Sequence, residues 1–583
     1  MRRLSPAAAV SAALLLIWCV GMFGRGYWTP DEPREADIAW RMSWQAEKAV
    51  PLLAGEAFCE KPPLTYWLAA VPIRLFGPDA WAARLPNLLY AVITALGVGL
   101  LAKSSAGRVA GLVGAAAVST FLLSYQVAIW LATDAPLLAT VPIALLGAYQ
   151  GFYAARSRER LRGYLLMHAA LGLGFLCKSA VAWMVPAMAL VTLAIWEKRW
   201  RELLRWELYL GLLLQAAMIL TWVWFVYMGT DGPAHLKVFF WNNLVGRFTR
   251  VDAPAELQYA AAHRNSPGKY LIELPLYLAP WTLLVIAAGR RAWRRRTASI
   301  DEYRPVRFAL AAALPPLLIL SVAATARNIY LAPALPGAAV LLAWWAQETP
   351  EIPDRWDRRA LRATSALLLL GVVVSIAAVG LIGADAWNAM GSHASFIVIS
   401  AAGLIAATAL ALRAWTAALT QVPRALWSLW LAYCALLLGP ASQVYTRVDT
   451  WQDLQSIARA INQDAADKPL ILFAPDETTR AMIDMYARTT VGLVSGPIDA
   501  AAIDRLKTAA AASHSLILVQ LRVQSPARAA WRSVPDSTPR RSEPVQPPED
   551  VSALSWLPAS GLRMTKTYSL PHGRRYALLE LAP

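Results

Sequence analysis

The stretch from Tyr27 to Leu68 gathers residues able to move protons and hold anions. The acids Asp31, Glu32, Glu35, Asp37 and Glu60 lie beside the cations Arg34 and Lys61. A carboxylate can act as general base or orient an acceptor. A lysine or arginine can steady a phosphate. Asp31 precedes Pro33 and the amphipathic stretch 34–47, so it also suits a helix N-cap with proline in the first turn. The two roles are compatible. In Glu60-Lys61-Pro62-Pro63 the two prolines stiffen the backbone beside an acid and a cation. Lys61 is then a lysine snorkelling to a membrane interface or a cation for a lipid phosphate. Glu60 is its partner or a metal ligand.

Further candidates follow along the chain. Asp134, in Thr133-Asp134-Ala135-Pro136, reads as a helix N-cap or as a second functional carboxylate. Lys178 ends Phe175-Leu176-Cys177-Lys178. Arg247, in Gly246-Arg247-Phe248, offers a bidentate fork for phosphate. His263 is a candidate metal ligand or proton carrier. With Glu60 it would supply the ligands for a divalent metal, the one cofactor the residues suggest. Tyr330, in Arg327-Asn328-Ile329-Tyr330, is an interfacial aromatic or a contributor to the site.

The elements that must position these residues are membrane helices. Hydrophobic residues make up 57% of the chain and charged residues only 16%, too apolar for a soluble protein of this length. About thirteen apolar runs approach spanning length. They lie near 7–24, 84–102, 109–128, 134–155, 163–177, 180–196, 206–228, 271–289, 307–325, 330–347, 361–383, 395–413 and 424–445. The first follows a basic start and reads as an uncleaved span rather than a signal peptide. The net charge of +17 does not point to nucleic acid, because the basic residues cluster in short loops between apolar runs. Arg2 and Arg3, the group Arg156 to Arg162, the group Lys198 to Arg205, and Arg290 to Arg296 all fall on one side of a thirteen-span chain. That side is cytoplasmic by the positive-inside rule. Loops 25–83 and 229–270 and the C-terminal tail then face outward, as do Asp134 and Lys178. A lysine on the outer face runs against the charge bias and needs an anionic partner.

Residues 1–445 form the membrane domain and 446–583 a separate tail. The tail alternates an amphipathic helix (Leu454 to Ile461) with short apolar strands (Leu470 to Phe473, Ser515 to Leu521), which predicts a small α/β domain. Segment 533–550 is Pro/Ser/charge-rich and reads as a loop. Cys19, Cys59, Cys177 and Cys434 show no metal spacing and read as packing residues.

The motifs Asp31-Glu32-Pro33-Arg34 with Ala36-Asp37, and Glu60-Lys61-Pro62-Pro63 with Tyr66-Trp67, resemble the first outer loop of the aminoarabinose transferase and protein O-mannosyltransferase group. These are GT-C membrane glycosyltransferases. Thr133-Asp134-Ala135-Pro136, Gly174 to Lys178, Gly246-Arg247-Phe248, Leu278-Ala279-Pro280-Trp281 and Tyr330-Leu331-Ala332-Pro333 continue the likeness in order over roughly residues 1–350. The resemblance implies an α-helical polytopic GT-C fold with juxtamembrane helices in a large first outer loop and a periplasmic C-terminal domain. It implies a bacterial inner-membrane enzyme with a polyprenyl-phosphate-linked sugar donor and transfer with inversion. It assigns Asp31 and Asp134 to the catalytic and acceptor site, and Lys61 and Arg247 to the donor phosphate, with help from Arg34, Lys178 and Tyr330. Lipid A is the preferred acceptor, ahead of another envelope glycan or a protein hydroxyl.

Three departures bear on sugar and acceptor. The group's Asp-Glu-Thr-Arg-Tyr is here Asp31-Glu32-Pro33-Arg34-Glu35. Its Lys-Gly-Pro is Lys178-Ser179-Ala180. A lysine-rich segment is replaced by Ala326-Arg327-Asn328-Ile329-Tyr330. The rival class, a lipid or solute transporter, would place ionisable groups at mid-membrane depth. Here the spans are almost free of charge, and the acids and bases crowd one face.

Overall fold

The computed structural model describes residues 5–28, 31–247, 251, 266–297, 300–323, 327–349, 354–387, 394–445, 454–465, 468–487, 491–494, 499–522, 556–569 and 574–582. Helix α1 (Pro6–Met22) starts at Ser5, whose hydroxyl accepts from the Ala8 N–H at 3.2 Å, with Pro6 in the first turn. The first loop then folds into helix α2 (Asp31–Trp44), a two-residue antiparallel pair β1 (Leu52–Leu53) and β2 (Glu56–Ala57), and helix α3 (Leu64–Phe76). A turn through Gly77, at φ +90°, leads into α4 (Ala80–Ala106). Only glycine takes that backbone without strain.

Next come α5 (Arg108–Thr120), α6 (Leu122–Ile129), α7 (Asp134–Tyr153), α8 (Ser157–Lys178), α9 (Val181–Trp196) and α10 (Trp206–Tyr227). Among the described residues, eight helices are long and apolar enough to cross a membrane, or up to ten if each bent pair counts as one span. The bent pairs are α5 with α6, at 68°, and Lys269–Tyr277 with Thr282–Arg294, at 109°. The other three expected spans coincide with α1, α8 and α9. Helices α1 and α9 have 17 and 16 residues. The first turns of α8, Ser-Arg-Glu-Arg-Leu-Arg, dilute its apolar character.

Helices α7 and α8 run antiparallel and very close. A Cβ on Gly147 would meet the Met167 backbone nitrogen at 2.5 Å, and one on Gly163 would strike the backbone of Gly151. Small residues at such crossings let membrane helices pack backbone to backbone. This register brings Asp134, at the start of α7, beside Lys178, at the end of α8. The opposite end of α8 carries a separate ion pair, Arg160 with Glu207 of α10 at 3.2 Å.

The C-terminal tail contains the expected helix (Leu454–Ala465) and a five-stranded sheet in the order β4-β3-β5-β7-β6. The strands are β3 (Leu470–Phe473), β4 (Val491–Val494), β5 (Leu516–Arg522), β6 (Leu562–Ser569) and β7 (Arg574–Leu581). Strand β3 runs parallel to β4 and β5, while β7 pairs antiparallel with β5 and β6. The loop expected at 533–550 lies outside the described residues. Apolar residues of α2 and α3 (Ala36, Ala39, Ala69, Ile73) share one core with Leu454, Ile457, Ile461, Met482 and Leu518 of the tail. The tail therefore rests on the two loop helices. The four cysteines are unpaired.

Candidate active site on the outer loops

Helix α2 brings its charged residues to two surfaces. Glu32 and Asp37 are fully buried and structural. Glu32 binds Arg25 at 2.9 Å and Arg84 at 2.6 Å, and accepts from the Leu131 N–H at 2.9 Å. Burial alone would raise its pKa, but the two guanidiniums hold it down at about 2. Asp37 binds Arg41 at 3.0 Å and accepts from the Ala54 N–H at 2.6 Å. Burial prevails there and pushes its carboxyl up to about 6, against the pull of Arg41.

Asp31, Arg34 and Glu35 stand at positions i, i+3 and i+4, on one face of α2. Asp31 is the first residue of the helix and pairs with Arg327, which precedes the short 3-10 helix Asn328–Ala334. Tyr270 holds Arg327 in place by donating to its carbonyl at 2.6 Å. Glu35 pairs with Lys61. Burial would lower the Lys61 pKa, yet Glu35, Glu60 and Asp134 together raise it. Tyr66 of α3 faces the same carboxylate, and burial and Glu35 hold its phenol well above the ordinary value.

Asp134 pairs with Lys178, and the Lys178 ammonium lies 4.6 Å from the centre of the Tyr330 ring, a cation–π distance. The expected N-cap role goes to Thr133; Asp134 is the first helical residue. The charge of Asp134 acts on both Lys61 and Arg327. Asp31–Arg327, Glu35–Lys61 and Asp134–Lys178 thus form one cluster of three ion pairs.

Other expected residues sit at its margin. Arg34 turns to the tail and meets Glu477 at 2.8 Å. Glu60 is not the partner of Lys61. Its charge acts on Lys61, but the ion pair is made by Glu35 of α2. The Glu60 backbone carbonyl instead accepts from Asn243 Nδ2 at 2.6 Å. That bond ties the π-helix Lys237–Leu244 to the Lys61 turn, and the 3-10 turn Val245–Arg247 follows directly. The backbone of Arg247 is therefore placed next to this region, while its side chain lies outside the described part of the structure. His263 lies outside it altogether. Among the described residues no three His, Cys, Asp or Glu side chains converge as metal ligands. The expected pairing of Glu60 with His263 lies outside the described residues.

Sequence reasoning gave no role to Glu35 or Glu477 and did not pair Arg327 with Asp31. The i+4 spacing of Asp31 and Glu35 was the available signal. The contacts across the chain had none.

Comparison with known proteins shows what the chain is similar to. Residues 60–225 match the family model described as dolichyl-phosphate-mannose-protein mannosyltransferase. Curated relatives named undecaprenyl phosphate-alpha-4-amino-4-deoxy-L-arabinose arabinosyl transferase are similar over part of the chain. The Yersinia enterocolitica protein is 26% identical over 375 residues, covering 64% of each chain. The Erwinia tasmaniensis protein is 32% identical over 327 residues, covering 55% of each. The chain spans less than two thirds of the length of these relatives. The crystal structure of ArnT from Cupriavidus metallidurans bound to undecaprenyl phosphate superposes with a TM-score of 0.70 at 18% identity, over 98% of this chain and 97% of that one. Its apo form gives 0.68 at 16% identity. The chain shares the GT-C fold of a polytopic membrane protein with a small β-containing C-terminal domain, and it is related to the aminoarabinose transferase group.

Proposed function

We propose that this protein is an inverting GT-C glycosyltransferase of the bacterial inner membrane. It moves a sugar from a polyprenyl-phosphate donor to an envelope acceptor at the periplasmic face, with lipid A the first choice. The observation that carries this reading is the cluster Asp31–Arg327, Glu35–Lys61 and Asp134–Lys178 beside Tyr330. Each cation is paired with a carboxylate. A donor phosphate entering the cluster competes for Lys61 and Lys178, with Arg247 following from the neighbouring turn. Arg34 stands ready at the edge of the same helix face.

Transfer then proceeds by direct displacement. An acceptor oxygen forms its bond to the anomeric carbon as the bond from that carbon to the phosphate oxygen breaks. The electron pair leaves with the polyprenyl phosphate, whose growing charge the lysines stabilise. A hydroxyl acceptor gives its proton to Asp31 or Asp134. A phosphate acceptor is already ionised, and the carboxylates then orient it. The clustering of the three ion pairs at one membrane face supports an interfacial enzyme over a transporter. Transfer to another glycan or to a protein hydroxyl remains the alternative, and the mannosyltransferase family match keeps the protein acceptor in view.

The same reading takes all thirteen hydrophobic segments as spans, counting α1, α8 and α9. It sets the domain boundary at 445/446 and puts the tail in the periplasm. Single cysteines at Ser157 and Ser513, probed with a membrane-impermeant thiol reagent, should label from the cytoplasmic and periplasmic sides respectively.

The function is tested by mass spectrometry of lipid A and of polyprenyl-phosphate sugars. A deletion strain is compared with strains complemented by wild type and by Asp31→Asn. Loss of a lipid A sugar together with donor accumulation, in both the deletion and Asp31→Asn, supports the reading. Donor accumulation with unchanged lipid A moves the search to another acceptor. No change in either pool, with the protein expressed, overturns it.

A further inference from the structure

Six basic residues lie between Arg25 and Arg74. Four meet carboxylates: Arg25 meets Glu32, Arg34 meets Glu477, Arg41 meets Asp37 and Asp484, and Lys61 meets Glu35. Among the described residues, Lys48 and Arg74 meet none. They lie side by side, because each donates to a carbonyl in the last turn of α2. Lys48 Nζ reaches Met42 O at 2.6 Å, and Arg74 Nη1 reaches Ser43 O at 3.1 Å. Capping of a helix end by cations accounts for part of this arrangement. It uses one donor of an ammonium that has three and one of a guanidinium that has five. Two adjacent cations without an acid also repel each other. Burial and the Arg74 charge lower the Lys48 pKa.

These cations line a cleft of about 350 Å³ with Met42, Ser43, Trp67, Ala70 and Val71. Trp67 closes it by donating its indole N–H to Lys48 O at 2.7 Å. From the cleft the outer face of α3 continues as exposed apolar surface: Leu68, Val71, Leu75 and Phe76. A doubly cationic cleft continuous with an apolar strip matches an anion that carries acyl chains. A free phosphate would leave the strip unused.

We infer that the cleft between the end of α2 and α3 is a binding site for a phosphate-bearing membrane lipid, separate from the three-pair cluster. The headgroup phosphate sits between Lys48 and Arg74, and an acyl chain lies along Leu68, Val71 and Leu75. This site is independent of which sugar is transferred.

The test is native mass spectrometry of the purified full-length protein in detergent micelles doped with phosphatidylglycerol or phosphatidylcholine. Wild type should retain one phosphatidylglycerol above the level of phosphatidylcholine. Lys48→Gln/Arg74→Gln should weaken that retention by roughly thirtyfold, as expected for two interfacial charges. Lys48→Arg/Arg74→Lys, which keeps both charges, should retain the lipid. A control that removes two charges elsewhere, Arg294→Gln/Arg296→Gln, should leave retention unchanged. Equal retention of both lipids, no loss in the double glutamine variant, or an equal loss in the control would overturn the proposal. So would complete displacement of the lipid by millimolar inorganic phosphate, which would identify a site for the free anion.

Discussion

Asp31, the first residue of α2, is ion-paired with Arg327, which lies 296 positions further along the chain. The pair links the start of the first outer loop to the entry of the helix Leu335–Glu348, and it orients the candidate base. Its carboxylate is largely shielded, whereas Arg327 is half exposed. An incoming acceptor can therefore reach Asp31 by displacing the half-exposed guanidinium.

Replacing Asp31 with Asn should lower kcat by about 100-fold or more, the usual range for loss of a general base. The KM for the donor should change little. A rise in KM with kcat unchanged would mean that Asp31 serves binding and not the chemical step. Steady-state kinetics with a varied polyprenyl-phosphate sugar makes the distinction.

Glu35→Gln should act through Lys61. Without its carboxylate partner the lysine loses its fixed position, so donor KM should rise several-fold while kcat falls less. Lys61→Gln should raise KM further. The double variant should fall no lower than Lys61→Gln alone, because the two side chains form one unit. Additive losses would show that Glu35 has a role of its own.

Asp134→Asn leaves Lys178 shielded from solvent and without its counter-charge. Breaking a buried pair on one side typically costs about 3–5 kcal/mol, so this variant should lose both thermal stability and activity. Asp134→Asn/Lys178→Gln removes both charges and should recover the stability without the activity. A thermal melt in detergent read beside turnover separates the two effects.

Ser179 follows Lys178 with φ +67° and ψ −162°, a backbone region that favours glycine. The related motif has glycine at this position. Ser179→Gly should therefore raise stability, by about 1 kcal/mol if the strain is released in full, without loss of activity. A lower melting temperature would show that the Ser179 side chain contributes more than its strain costs.

The contact between α2 and the tail should depend on pH. Arg41 bridges Asp37 and Asp484, the latter at 2.7 Å. Burial raises both acids, Asp37 to about 6. The folded form therefore keeps a proton on Asp37 that the unfolded chain releases near its ordinary value of 3.8. The associated stability is present below pH 3.8 and is lost as pH rises through about 6. Asp37→Asn should flatten the pH dependence of melting between those values. An unchanged slope would place the titrating group elsewhere.

Much of the scaffold was legible because hydropathy fixes helices locally. The apolar runs coincide with helices, and Leu470 to Phe473 is a strand with the expected bounds. Charge placement pointed to Asp31, Lys61, Asp134 and Lys178, which the fold brings together, but not to Glu35 or Arg327. Partners were not legible. Lys61 sits next to Glu60 in sequence but binds Glu35, because α2 folds back over the Lys61 turn. Arg34 looked like a phosphate ligand, and it meets Glu477 of a domain that begins some 400 positions later. Glu32 looked like part of a reactive loop, yet Arg25 and Arg84 make it a buried brace. Those distinctions arise from tertiary packing, which leaves no local pattern.

In the proposed function the three-pair cluster cleaves a sugar from a polyprenyl phosphate. The most direct measurement is release of polyprenyl phosphate, followed by chromatography and mass spectrometry, from a lipid-linked aminoarabinose donor. The purified protein is held in lipid nanodiscs with lipid A present. Wild type should give stoichiometric polyprenyl phosphate and sugar-bearing lipid A, and both should be lost with Asp31→Asn and Lys61→Gln. Equal product from wild type and both variants would contradict it. So would intact donor after incubation with wild type and with each alternative sugar and acceptor.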